Sequence, residues 1–591
     1  MAVDAADLSR ARESRAAIER LYVEMRHLLN SGSIKSLGAP GDTITNALMT
    51  LRPEIYGSLV DPEKVELDGL VYVIDRLPKG IEECRFIKLV SEEGYSASHF
   101  EVSIPASRRR SCYRIDKDHM FIEVTRGRSD VYDILTHLTF LFIEARKIKE
   151  HALDENREPR IEWIKLRKII KGEAIINEAN REVALTYLST ILGRTFEATK
   201  NAFSRMEAHS TKNNGLFHIV YWLGKLAIEE ENEGKSREIS FSPTLRTRIG
   251  HHIYGERWAN NIKQFLLENN LLSRPLHIIS ANLHSVMNSL YAWAAIRDSE
   301  LKKNGIEGLV LELSKEENSD LGEKIKRYAL KHGMYELQAS SSTHISVQIF
   351  DTAKVDWDKV APSLLVSKSK IMEERPVMVV MDYAFGEQAY ETMDELLKPY
   401  EPQGAKHNMP VKSISIMGKA GILEGGKGDI MVPNGHIFEG TADNYPFEND
   451  FRIEDFQADY EGNVLEGPMI TVLGTSLQNR DVLAYFKHSS WQTIGLEMEG
   501  AHYQKAIQAQ AKIRKNISDK VILRYAYYAS DNPLVTGGTL ASGSLGAVGV
   551  RPTYLITKKI LTKILGPTST ILKSRKKGET IPSPGVVSVK N

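Results

Sequence analysis

Apolar residues spaced three and four apart run from Ala5 to Asn30, and the Ser31-Gly32 pair that follows predicts a helix stop. The same period returns over Tyr132 to Leu153, Asn180 to Met206 and Leu216 to Glu233. Residues 1–270 therefore read as a mainly helical N-terminal domain of unassigned role. Within it, LVYVID (Leu70 to Asp75) and HMFIEV (His119 to Val124) are expected to be strands. No internal repeat is visible.

The period changes at LLSRP, Leu271 to Pro275. RPLHIISA reads as a buried strand, and HSVMNSLYAWAAIRDSELKKNG as a helix running to Gly305. GLVLEL, ISVQIF and VMVVMD are further strand candidates, followed by the helix GEQAYETMDELLKPY. KSISIMG, GDIMVP, PMITVLG, WQTIGLEM and VILRYAYYAS complete a series of short apolar runs. Strands interleaved with helices predict an α/β domain with a largely parallel or mixed sheet over residues 275–565. Residues 566–591 are polar and bear Pro and Gly, as expected of a flexible tail.

Composition narrows this only a little. At 591 residues the chain is too long for one core. Lys+Arg and Asp+Glu number 77 each, so a net charge of zero gives no general pull toward nucleic acid or anionic membrane. The longest apolar stretch noted, TFLFI at Thr139 to Ile143, is far too short to span a bilayer. Two cysteines, Cys84 and Cys112, make no disulfide framework, and no Cys/His spacing suits zinc. A cytoplasmic protein without metal or cofactor is the expectation. SRRRSCYR, Ser107 to Arg114, reads either as a solvated loop or as an anion contact.

Ligands of open α/β sheets sit beyond the carboxyl ends of strands, so the chemistry is sought there. Four ends stand out. In IMGKAG, Gly418 and Gly421 flank Lys419-Ala420 and suggest a tight turn whose N–H groups approach an anion. In MDYAFGEQA, Gly386 precedes a helix, whose N-terminus suits an anion. GLEMEGA places Glu497, Met498 and Glu499 where a strand meets a helix, and carboxylates there are costly unless used. YYASDNP ends a strand at Ser530-Asp531, read as an Asx-turn or as a general acid or base.

In that order, GKAG, GDIMVP, LEMEGA and ASD resemble the nucleoside phosphorylase and nucleosidase superfamily. The resemblance covers roughly Pro275 to Leu565, and SDNPL is similar to a sequence near the end of AMP nucleosidases. It implies a nucleoside-phosphorylase-like three-layer α/β fold with a mixed sheet, and cleavage of the N-glycosidic bond of a purine nucleoside or nucleotide. A small-molecule substrate, a homo-oligomer, and phosphate as a conceivable co-substrate come with it. By resemblance, Glu499 holds the ribose hydroxyls, Met498 packs on the sugar and Glu497 supports the site. Asp531 is the general acid toward the base, steadied by Ser530. Gly418, Lys419, Ala420 and Gly421 lie near the nucleophile.

The chain also departs from the pattern. Lys419 stands where the family has Ser or Thr, which suits either a phosphate contact or a side chain that plugs the pocket. The turn SANLHSV carries neither the glutamate of the hydrolytic members nor the arginine of the phosphorylases. His284 and Ser285 occupy it instead. Hydrolysis and phosphorolysis both stay open, as does a catalytically inactive nucleotide-sensing or scaffold protein on the same fold. No stacking aromatic is evident in LGTSLQNRD; Tyr527 and Tyr528 are nearby candidates.

Overall fold

The computed structural model describes residues 5–567, apart from 37, 176, 209–210, 299–300, 304, 338–342, 442 and 537–544. The expected tail therefore lies almost wholly outside the described residues.

The first half is helical around a sheet of six strands. These are β1 (Ser33–Lys35), β2 (Phe86–Val90), β3 (Val102–Ser103), β4 (Cys112–Arg114), β5 (His119–Glu123) and β6 (Glu238–Phe241). Their order is β1-β6-β2-β5-β4-β3. HMFIEV forms β5 as expected. LVYVID does not form a strand: Leu67–Ile74 is a helix, started by the Glu66 carboxylate, which accepts from Asp68 N and Gly69 N. Every residue from Leu70 to Ile74 is buried, and a short apolar run buried all round has no period that separates helix from strand.

The second half is built on a ten-stranded sheet. Its strands are β7 (Leu276–Ser280), β8 (Met334–Leu337), β9 (Val347–Asp351), β10 (Val377–Met381), β11 (Val411–Ile422), β12 (Ile430–Phe438), β13 (Asn444–Pro446), β14 (Val464–Thr471), β15 (Gly495–Glu497) and β16 (Ile522–Asp531). The order is β13-β12-β14-β15-β11-β7-β10-β9-β8, with β16 paired to β11 and β12. Parallel and antiparallel pairs are mixed, for example β7 parallel to β10 and β10 antiparallel to β9. Two hydrophobic clusters lie on opposite faces: Ile278, Val379, Ile416 and Tyr527 belong to one, and Ile279, Val380, Met417 and Tyr528 to the other. That alternation is the period of two of a sheet buried between two helical layers. The fold is thus α/β with three layers around a mixed sheet.

Two further expectations change. GLVLEL lies in the helix Gly305–Leu313, not in a strand. The helix after β7 spans Leu283–Ala295 and ends well before Gly305.

The two sheets share a plan that no sequence repeat announces. β6-β2-β5-β4-β3 and β11-β7-β10-β9-β8 follow the same order in space and along the chain. The directions agree too: β2 is parallel to β5 and β6 as β7 is to β10 and β11, and β5-β4-β3 and β10-β9-β8 are antiparallel throughout. After β5 and β10 the chain turns at Gly127 (φ 69°) and Gly386 (φ 55°). The helices that follow meet one another. Arg128 and Glu387, each one residue past its glycine, form an ion pair at 2.9 Å. Glu387 N donates to Ser129 Oγ at 2.7 Å, and Arg128 N is bonded by the Glu391 carboxyl. The first turn of each helix thus donates to a side chain of the other.

Candidate functional site

GKAG is not a turn. It lies inside the long strand β11, where Gly418 pairs with Tyr527, Lys419 with Tyr528 and Ala420 with Ala529. Neither Gly418 nor Gly421 has a positive φ. Its glycines make room instead: a Cβ on Gly418 would touch the rings of Tyr383 and Tyr527 at 3.7 and 3.8 Å. A bulge between Ala420 and Gly421 brings Gly421 opposite Asp531.

Asp531 is the last residue of β16 and is buried. Its Oδ1 lies 2.6 Å from Ser530 Oγ, which also reaches the Ala420 carbonyl at 3.1 Å. Its Oδ2 is buried with no partner among the described residues. Burial raises the Asp531 carboxyl, against the Ser530 hydroxyl and the charges of Lys419 and Lys427. A carboxyl of this kind holds a proton more readily than a free aspartate does.

The EMEG corner divides its two acids. Glu497 is spent on structure. It accepts from Glu499 N at 2.5 Å, from Gly500 N, and from Thr471 Oγ1 at 2.5 Å. His436 stands 3.4 Å away. These contacts outweigh burial and hold Glu497 below the usual carboxylate range. The same packing explains the glycine: a Cβ on Gly500 would lie 2.3 Å from the His436 ring. Glu499, by contrast, is half-buried and accepts from two backbone N–H groups, Gly386 N to Oε1 at 2.9 Å and Met498 N. Burial and the neighbouring Glu497 push it up to about 8. Met498 packs on a hydrophobic cluster to which both halves contribute, among them Ile470 and Leu496 of the second.

Lys419, His284 and Ser285 form a separate group. They line a cavity of about 850 Å³ at the ends of β7, β10 and β11, together with Asn282, Asp382 and Tyr528. Neighbouring residues of a strand face opposite sides, so Lys419 leaves the face used by Gly418 and Ala420. Glu499, Met498 and Asp531 do not line this cavity. His284 is exposed in the first turn of the helix Leu283–Ala295, capped by Asn282 Oδ1. Ser285 is buried and bonded to the Asn282 carbonyl and to Thr557, so its hydroxyl is already used.

Sequence reasoning missed the first half's contribution. Arg109 lines the Lys419 cavity. Arg126 lies over the Phe385 ring at 4.4 Å, one residue from the Gly386 N–H that holds Glu499. The flanking arginines are paired, Arg108, half-buried, with Asp133 at 2.8 Å, and Arg110, buried, with Asp130 at 2.7 Å. Only the basic character of Ser107 to Arg114 hinted at this. Tyr383 supplies an aromatic wall beside Gly418 that the sequence did not single out. Among the described residues, Glu82, Glu83 and His218 stand close enough to share a cation, far from these strand ends in sequence.

The sequence profile of one family matches residues 43–317 and 311–566, spanning both sheets. The chain belongs to that family, described as a family of unknown function (DUF6909). No curated protein matches the chain. Solved structures similar to it include the Campylobacter jejuni 5′-methylthioadenosine/S-adenosyl homocysteine nucleosidase, 11% identical, covering 49% of this chain and 99% of that one with a TM-score of 0.29. Native futalosine hydrolase of Helicobacter pylori strain 26695 is 11% identical over 50% of this chain and 98% of its own, with a TM-score of 0.30. Likenesses of this size assign no residue and no substrate to the DUF6909 chain.

Proposed function

We propose that the second half of this protein cleaves the N-glycosidic bond of a purine nucleoside or nucleotide. The observation that carries this is a pair of strand-end carboxyls, both raised and both keeping capacity for a ligand. Glu499 accepts from Gly386 N and Met498 N only, which leaves acceptor positions on its carboxyl for a ligand. Asp531 has Oδ2 without a partner among the described residues. Breaking a C–N glycosidic bond develops positive charge on the sugar and negative charge on the base. Asp531, holding a proton, acts as general acid toward the departing ring nitrogen. Glu499 binds the ribose hydroxyls: neutral, it offers one acceptor and one donor; ionised, two acceptors. Met498 lies against the sugar and Tyr383 against the base. Lys419, Arg109 and His284 make their cavity the place for the phosphate, whether attacking group or substrate substituent. Hydrolysis and phosphorolysis are both compatible with these groups.

The test is release of free base from adenosine, inosine, methylthioadenosine and AMP, each with and without phosphate. Asp531→Asn and Glu499→Ala should each lower it by about 100-fold or more. Base release unchanged in both variants would end this assignment.

A second reading, a nucleotide sensor without turnover, is favoured by one observation. Asn282, in the turn after β7, is spent on capping a helix. Ligand binding with no base released from any substrate would support it.

A further inference from the structure

A second cavity, of about 440 Å³, lies at the seam between the halves, away from Lys419 and Asp531. Tyr22 enters it from the long helix Ala5–Ser31 of the first half, and Tyr390 and Phe438 from the second. Two of its acids are unusual. Glu439, at the end of β12, is 1% exposed, and its Oε1 has no partner among the described residues. Its Oε2 takes only a long bond, 3.4 Å, from Leu473 N. Glu387 Oε1 accepts from Arg128, while its Oε2 is also buried and unpartnered among the described residues. Buried carboxyl oxygens without partners cost free energy, so a site that keeps two of them beside aromatic rings invites a ligand that supplies donors.

We propose that this seam cavity binds a planar heteroaromatic ring bearing amino N–H donors, such as an aminopurine. The ring's faces are covered by Tyr22, Tyr390 and Phe438. Its N–H groups satisfy Glu387 Oε2 and Glu439 Oε1. The volume is within the range of small-molecule pockets, and beside the rings and the two acids the lining includes Arg26, Arg128, His252, His502 and Lys505. Because the walls come from both halves, an occupied cavity ties the halves together, and the ligand raises the unfolding midpoint by mass action.

The proposal is independent of the glycosidic reading, and its test keeps the two apart. Adenine, 2,6-diaminopurine and unsubstituted purine are titrated calorimetrically into the full chain carrying Glu499→Ala and Asp531→Asn. Adenine and diaminopurine should bind that protein, with purine weaker by about tenfold or more. Adding Glu439→Leu or, separately, Tyr390→Leu should weaken adenine by at least tenfold, with the unfolding midpoint of each ligand-free variant recorded as a check on folding. Absence of adenine binding in the Glu499→Ala/Asp531→Asn protein overturns the proposal. So does binding that ignores both Glu439→Leu and Tyr390→Leu, or that does not distinguish adenine from purine.

Discussion

Gly386 N donates to Glu499 Oε1 across 2.9 Å, and this bond joins the loop after β10 to the corner after β15. Together with the bond from Met498 N it holds a carboxyl that burial and Glu497 raise to about 8. The same glycine has φ 55°, and a Cβ on it would lie 2.4 Å from Ser129 Oγ of the first half. The candidate ribose-binding acid and the seam between the halves therefore share one residue.

The raised acid sets a pH dependence of stability. Between the ordinary glutamate value of 4.5 and about 8, the folded protein keeps a proton on Glu499 that the unfolded chain releases. Stability from this group therefore falls as pH rises through that window. Glu499→Gln removes the loss. The variant should gain on the wild type by about 1–3 kcal/mol between pH 5 and pH 8.5. Denaturant unfolding at both pH values checks this; a gain independent of pH would contradict it.

The glycine after EME is required by packing. Gly500→Ala should destabilise by about 3 kcal/mol, because the new methyl meets the buried His436 ring. His436→Ala in the same chain should recover part of the loss. A double-mutant cycle showing strict additivity would reject the contact as the cause.

The Arg128–Glu387 pair spans the seam, with both side chains mostly buried. Arg128→Met should cost about 2–3 kcal/mol, since it strands a carboxylate. Replacing both residues by Met should cost less than the two single changes added. Equal sums would show that the pair is not coupled.

Lys419 is exposed, and its replacement should leave stability within about 0.5 kcal/mol of the wild type. If its cavity takes the phosphate, Lys419→Ala and Arg109→Ala should each weaken phosphate or phosphorylated substrate by about tenfold. Steady-state kinetics at varied phosphate would show it, and unchanged constants would remove the cavity from the reaction.

The apolar runs of β7, β9 and β10 were legible because each is continuous and bounded by turn residues. Leu70 to Ile74 was not, because a run buried all round looks the same as helix or strand. GKAG misleads for a related reason: its glycines suggest a turn, although within β11 they make room for packed rings. EMEG and SD located two of the strand ends, those of β15 and β16. Which side chains share a face was decided by the pleat, which turns Lys419 away from Gly418 and Ala420.

The sequence by itself determined the α/β character of residues 275–565, the carboxyls at strand ends, and the lack of any long apolar span. These are local matters of period and residue type. Tertiary structure alone decided the matching plan of the two sheets, the Arg128–Glu387 seam, and the separation of Glu499 from the Lys419 cavity. Strand order and the pairing of residues hundreds of positions apart leave no local period in the chain. They follow from which buried faces the whole chain can bring together.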